Sequence, residues 1–105
     1  MEDYAAAIIP PSGEIKIERI PRGSKELKVL QEHVGGYIEI VRVKYNGRMY
    51  QAYVNEDGRS LELAENLRAT KAFRDAGNAP AMALYEVEVV DCILGTMVIC
   101  LENPS

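Results

Sequence analysis

The sequence predicts a single α+β domain, a mostly antiparallel sheet of five to six strands with two short helices in the order ββαββαββ. Three observations lead there. Asn46-Gly47 sits between two apolar-rich runs, the pattern of a type I′ hairpin, whose central residues both take positive φ. Two stretches have helical spacing, one stopped by Gly35 and the other opened by Asn66. The chain has 105 residues, too few for a second core, so residues 1–105 read as one domain.

The elements follow in order. Tyr4–Ile9 reads as a first strand, Pro10-Pro11-Ser12-Gly13 as a turn, and Glu14–Ile20 as a second strand with Ile15 and Ile17 on one face. Pro21-Arg22-Gly23 breaks that strand, and Ser24 is placed to cap a helix whose inner stripe is Leu27, Leu30 and Val34. Gly35 ends the helix, and Gly36 lets the chain reverse closely before a strand at Tyr37–Lys44. After the Asn46-Gly47 turn, Met49–Val54 returns beside it, Asn55-Glu56-Asp57-Gly58 makes another turn, and Leu61 and Leu63 form a brief extended pair. Asn66 caps a second helix, Leu67–Ala76, with Ala69, Ala72, Phe73 and Ala76 inward, and Gly77-Asn78-Ala79-Pro80 ends it. Leu84–Val90 alternates as a strand, and Asp91–Leu101 is a last strand region interrupted by Gly95, the mark of a bulge or a close backbone approach. Glu102–Ser105 reads as a frayed tail. Both helices are expected on one face of the sheet.

Composition excludes several classes. A net charge of −4 argues against indiscriminate nucleic-acid binding, which needs a basic footprint. No apolar run reaches the ~18 residues of a membrane span, and Met1-Glu2-Asp3-Tyr4 is acidic where a signal peptide is basic. The expected location is therefore the cytoplasm, with no membrane partner. One histidine and no Cys-x-x-Cys leave structural zinc without ligands, and Cys92 and Cys100 are expected as core filler. No cofactor is implied.

Val34-Gly-Gly-Tyr-Ile-Glu39, Val54-Asn-Glu-Asp-Gly58, Glu65-Asn-Leu-Arg-Ala-Thr70 and Ile93-Leu-Gly95, in that order, resemble a family of short proteins of unknown function common in bacteriophages, prophages and other mobile elements. The chain departs from that pattern in its long Asp75–Ala83 segment. The resemblance implies a context: small accessory phage proteins inhibit, sequester or mimic host components, including the nucleotide signals of bacterial immune systems.

Three groups of residues are candidates for chemistry. Asn55, Glu56 and Gly58 together with Asn66, Arg68 and Thr70 hold the parts of an anion site, and Arg68, Lys71 and Arg74 form a basic helix stripe; the competing reading is turn and cap residues beside a solvated face. Glu39 shares parity with Tyr37, Val41 and Val43, so it is either a carboxylate in apolar surroundings or one paired with Arg42 or Arg48. Tyr45, Tyr50 and Tyr53 cluster on the central hairpin and are either stacking residues or the edge of a small core. His33 ends a helix with no second metal or base partner in sequence, and Gly35-Gly36 lies at a helix end, the wrong pole for a phosphate. Glu86 and Glu88 read as a polar strand face.

The expected function is a non-enzymatic binding protein of phage or mobile-element origin that counters a host defence or regulatory pathway by sequestering a nucleotide-like small molecule. The alternatives are an inhibitor or adaptor (a DNA mimic included) that binds a host protein, and a small hydrolase. A homo-oligomer is expected as well. Tyr37–Val43 is apolar on both parities, and two helices confined to one face leave the other to be covered by a second copy.

Overall fold

The computed structural model describes residues 3–77 and 92–104. Among them are β1 (Asp3–Ile9), β2 (Lys16–Pro21), a 3₁₀ turn (Gly23–Lys25), α1 (Glu26–Val34), β3 (Ile38–Tyr45), β4 (Arg48–Asn55), α2 (Leu67–Asp75) and β5 (Met97–Pro104). The expected strand at Leu84–Val90, with Glu86 and Glu88, lies outside the described residues. The five strands form one antiparallel sheet in the order β2-β1-β5-β4-β3. This is the predicted α+β class.

The hairpin closes as its sequence requires. Tyr45 pairs with Arg48, and Asn46 and Gly47 take φ of 50° and 80°. At the end of α1, Gly35 adopts φ 86° and its amide donates to the Gln31 carbonyl at 2.8 Å. The start of α1 differs from expectation. Ser24 falls inside the 3₁₀ turn, Lys25 occupies the cap position, and no side chain caps the helix.

The helices lie on opposite faces of the sheet, not on one. Leu30 and Val34 of α1 pack with Tyr4, Ala6, Ile8, Ile20, Tyr53, Val98 and Cys100. Ala69 and Ala72 of α2 pack with Ala7, Ile9, Val43, Tyr50, Ala52, Val54, Met97 and Ile99. Alternate residues of β1, β4 and β5 thus enter two separate cores, which is why these strands are apolar on both parities. Burying side chains the size of Leu30 and Val34 contributes about 1.5–3 kcal/mol each. A second copy is not needed to cover a bare face, so that argument for an oligomer fails. The reason is topological: β2 and β3 are the two outer strands, and α1 carries the chain between them over one face while α2 packs on the other.

Two further expectations are corrected. Glu102–Pro104 is not a frayed tail but part of β5, held where a carboxylate oxygen of Glu102 accepts the Ala5 amide at 2.9 Å and the Arg19 guanidinium at 3.0 Å. Leu61 and Glu62, the latter at φ 54°, lie in a turn, and the Leu61 and Leu63 amides donate to the Asp57 and Gly58 carbonyls at 2.9 Å each, so the two leucines do not form an extended pair. No helix of the described residues is long and apolar enough to cross a membrane.

Candidate functional site

The end of α1, the start of β3, the turn after β4 and the segment 92–95 converge at one end of the sheet. Asn55 is the joint. Its buried side-chain amide donates to the Val34 carbonyl at 3.0 Å, and its Oδ1 accepts the Asp57 amide at 2.7 Å. Gly36 passes so close that a Cβ there would stand 2.9 Å from the Asn55 Nδ2. The Glu56 amide donates to the Tyr37 carbonyl at 2.8 Å. Gly58 lies against Leu94, where an added Cβ would meet the Leu94 Cβ at 3.1 Å and its carbonyl oxygen at 3.3 Å. Segments far apart in sequence, Gly35–Glu39, Asn55–Gly58 and Ile93–Gly95, are therefore one packed unit.

Asn66 is a second buried joint. Its Oδ1 caps α2 by accepting the Ala69 amide at 3.0 Å, while its Nδ2 donates to the carbonyls of Ile9 at 2.9 Å and Gly95 at 2.8 Å. Thr70 Oγ1 accepts the Ile93 amide at 2.8 Å. Gly95, at φ 84°, donates its amide to the Ala64 carbonyl at 2.7 Å, the close backbone approach expected of a glycine in that run, and Leu63 Cδ1 lies only 2.8 Å from the position a Cβ would take.

Between the turn and the 92–94 segment lies a cleft of about 160 Å³, lined by Glu39, Asn55, Glu56, Arg59 and Cys92 among others. Glu39 and Glu56 are exposed on its wall, and their carboxylates make no hydrogen bond or ion pair among the described residues. Their carboxylates are hydrogen-bond acceptors only and Arg59 is a donor only, so the cleft wall presents both kinds of group.

Sequence reasoning placed Glu39, Asn55 and Glu56 among the candidates, and the structure brings them together. It missed Arg59 and Cys92, which no spacing rule connects to Glu39. Cys92 is a half-buried free thiol in the cleft wall, whereas Cys100 is core as expected.

The other candidates go elsewhere. Glu39 is not embedded in apolar surroundings; it sits exposed near the start of β3, opposite Val54. Asn66 and Thr70 are used up in holding the fold. Arg68 donates to the Pro10 carbonyl at 2.7 Å, and Lys71 bonds Asp75 at 2.6 Å one helical turn on, so these two side chains are engaged away from the residues that line the cleft. The tyrosines do not form a stack. Tyr45 and Tyr50 belong to the α2 core and Tyr53 to the α1 core, because alternate residues of one strand point to opposite faces.

A different tyrosine cluster lies beneath α1. The Tyr4 hydroxyl donates to Glu26 Oε2 at 2.7 Å, and Arg22 stacks over the Tyr4 ring at 4.7 Å. Burial, and then the bond to the Glu26 carboxylate, push the Tyr4 phenol well above its ordinary value. Burial also raises Tyr53, against the opposing effect of the Gln51 amide that donates to its hydroxyl at 2.9 Å.

Fold and cleft together define a small α+β domain with a polar recess at one end of an antiparallel sheet. The chain belongs to the family described as Domain of unknown function (DUF3846), whose model matches residues 4–104. No curated protein and no solved structure matches it.

Proposed function

We propose that this chain is a non-enzymatic binding protein, encoded by a phage or mobile element and working in the host cytoplasm, that sequesters a nucleotide-like small molecule in the Glu39–Glu56–Arg59 cleft. One observation carries the reading: two carboxylates with no bonding partner of their own among the described residues stand around a recess that also holds an arginine. Carboxylates suit the amino and imino N–H groups on a nucleobase edge, guanine above all, and a guanidinium suits a phosphate. The origin rests on the Gly-Gly-Tyr-Ile-Glu resemblance. Calorimetry with linear and cyclic nucleotides tests the reading. Binding in the micromolar range that Glu39→Gln and Glu56→Gln each weaken about tenfold, roughly 1.4 kcal/mol, supports it. Silence across the whole panel rejects it.

A second reading, inhibition of a host protein by direct contact, is favoured by apolar exposure on the α1 side. Leu27 and Ile40 are 53% and 59% exposed, and Leu27 borders a groove of about 240 Å³ with Leu30, Ile38 and Tyr53. A stoichiometric host protein retained by the wild type and lost with Leu27→Asp and Ile40→Asp would favour this reading over the first.

A further inference from the structure

Among the described residues β2 is an outer strand, paired on one side with β1. Near its start, Ile17 is 61% exposed, flanked by Lys16 and Glu18. An open strand edge bearing an exposed β-branched residue is a template for pairing with another strand. The other basic residue of β2, Arg19, is exposed but leans along the sheet away from the free edge: it bonds Asp3 at 2.6 Å and reaches across β1 to Glu102 at 3.0 Å. The carboxylate of Glu18 faces the α1 side, 3.2 Å from His33 Nε2.

We propose that β2 pairs antiparallel with β2 of a second copy, about a two-fold axis that passes through Ile17. The register follows from symmetry and charge. A two-fold axis normal to the sheet keeps each face on its own side, so facing residues share parity and the axis must pass through a residue. An axis at Lys16, Glu18 or Arg19 sets that charge against its own copy, which is destabilising. The axis at Ile17 sets isoleucine against isoleucine on the α2 side. On the α1 side it places each Lys16 opposite Glu18 of the second copy; on the α2 side, each Ile15, just before β2 begins, lies beside the aliphatic stem of the other Arg19. Among registers centred on Lys16–Arg19, this one alone faces no like charges. The two sheets then become one, and the outer edges of β2 disappear.

Light scattering after size exclusion, combined with charge exchange and thiol trapping, tests the interface. The expected mass is twice 11.7 kDa. Lys16→Glu sets glutamate against Glu18 and shifts the protein to monomer, and the double exchange Lys16→Glu with Glu18→Lys restores the dimer. In a Cys92→Ser background, Ile17→Cys oxidises to a covalent dimer, whereas Lys16→Cys, which faces position 18, does not. A mass of 11.7 kDa independent of concentration overturns the proposal. So does a dimer that ignores Lys16→Glu and is not trapped through position 17.

Discussion

The Asn55 side chain donates to the Val34 carbonyl at 3.0 Å and so fastens the end of α1 to the end of β4, across 21 residues of sequence. The same side chain shapes the turn that carries Glu56 and leads to Arg59, so helix packing and cleft geometry share one buried amide.

Asn55→Ala leaves the Val34 carbonyl and the Asp57 amide without their partner, a loss of about 2–3 kcal/mol. Gly36→Ala presses a methyl group against the same amide and also destabilises, although alanine has the better helix and strand propensity. Urea unfolding of both variants measures the losses. The wild-type midpoint in either would remove Asn55 from its role as the joint.

Asn66 allows a sharper test, because its two side-chain atoms do different things. If it served only as a helix cap, Asn66→Asp would be tolerated, since aspartate caps as well as asparagine. Here Nδ2 donates to two buried carbonyls, and a carboxylate would face both with like partial charge. We expect Asn66→Asp to cost about as much as Asn66→Ala, on the order of 3 kcal/mol, with the Asp variant partly recovering at acid pH as the carboxyl becomes a donor. Thermal melts at two pH values check this.

Glu39→Gln and Glu56→Gln should leave stability within about 0.5 kcal/mol of the wild type, since both side chains are exposed and make no bond among the described residues. A large loss of stability in either would mean the carboxylates hold the fold and not a ligand.

The raised phenol pKa values give an alkaline limit. The folded chain holds the Tyr4 and Tyr53 protons more tightly than the unfolded chain does, so the stabilisation is fully present below the unfolded value of about 10. It is lost as pH rises beyond that, because only the unfolded state then releases the protons. Tyr4→Phe should flatten the fall in stability above pH ~10 relative to wild type while lowering stability near neutrality by about 1 kcal/mol for the lost Glu26 bond. Chemical denaturation from neutral to strongly alkaline pH compares the two slopes; identical slopes would contradict the assignment.

Local rules made several features legible from sequence. The Asn46-Gly47 turn, the left-handed Gly35 and the Asn66 cap each depend on the backbone and on side chains a few residues away, so the amino acids that suit them stand together in the chain. The same holds for the joining of Asn55 with Glu56. Tertiary structure alone decided that α1 and α2 take opposite faces, that Tyr53 parts from Tyr45 and Tyr50, that Glu102 is held in a strand by Ala5 and Arg19, and that Cys92 and Arg59 line one cleft with Glu39. Periodicity records which residues of an element share a side, but not which side of the sheet that is. Strand order and the path of α1 between the two outer strands settle it, through contacts between residues tens of positions apart that leave no spacing to read.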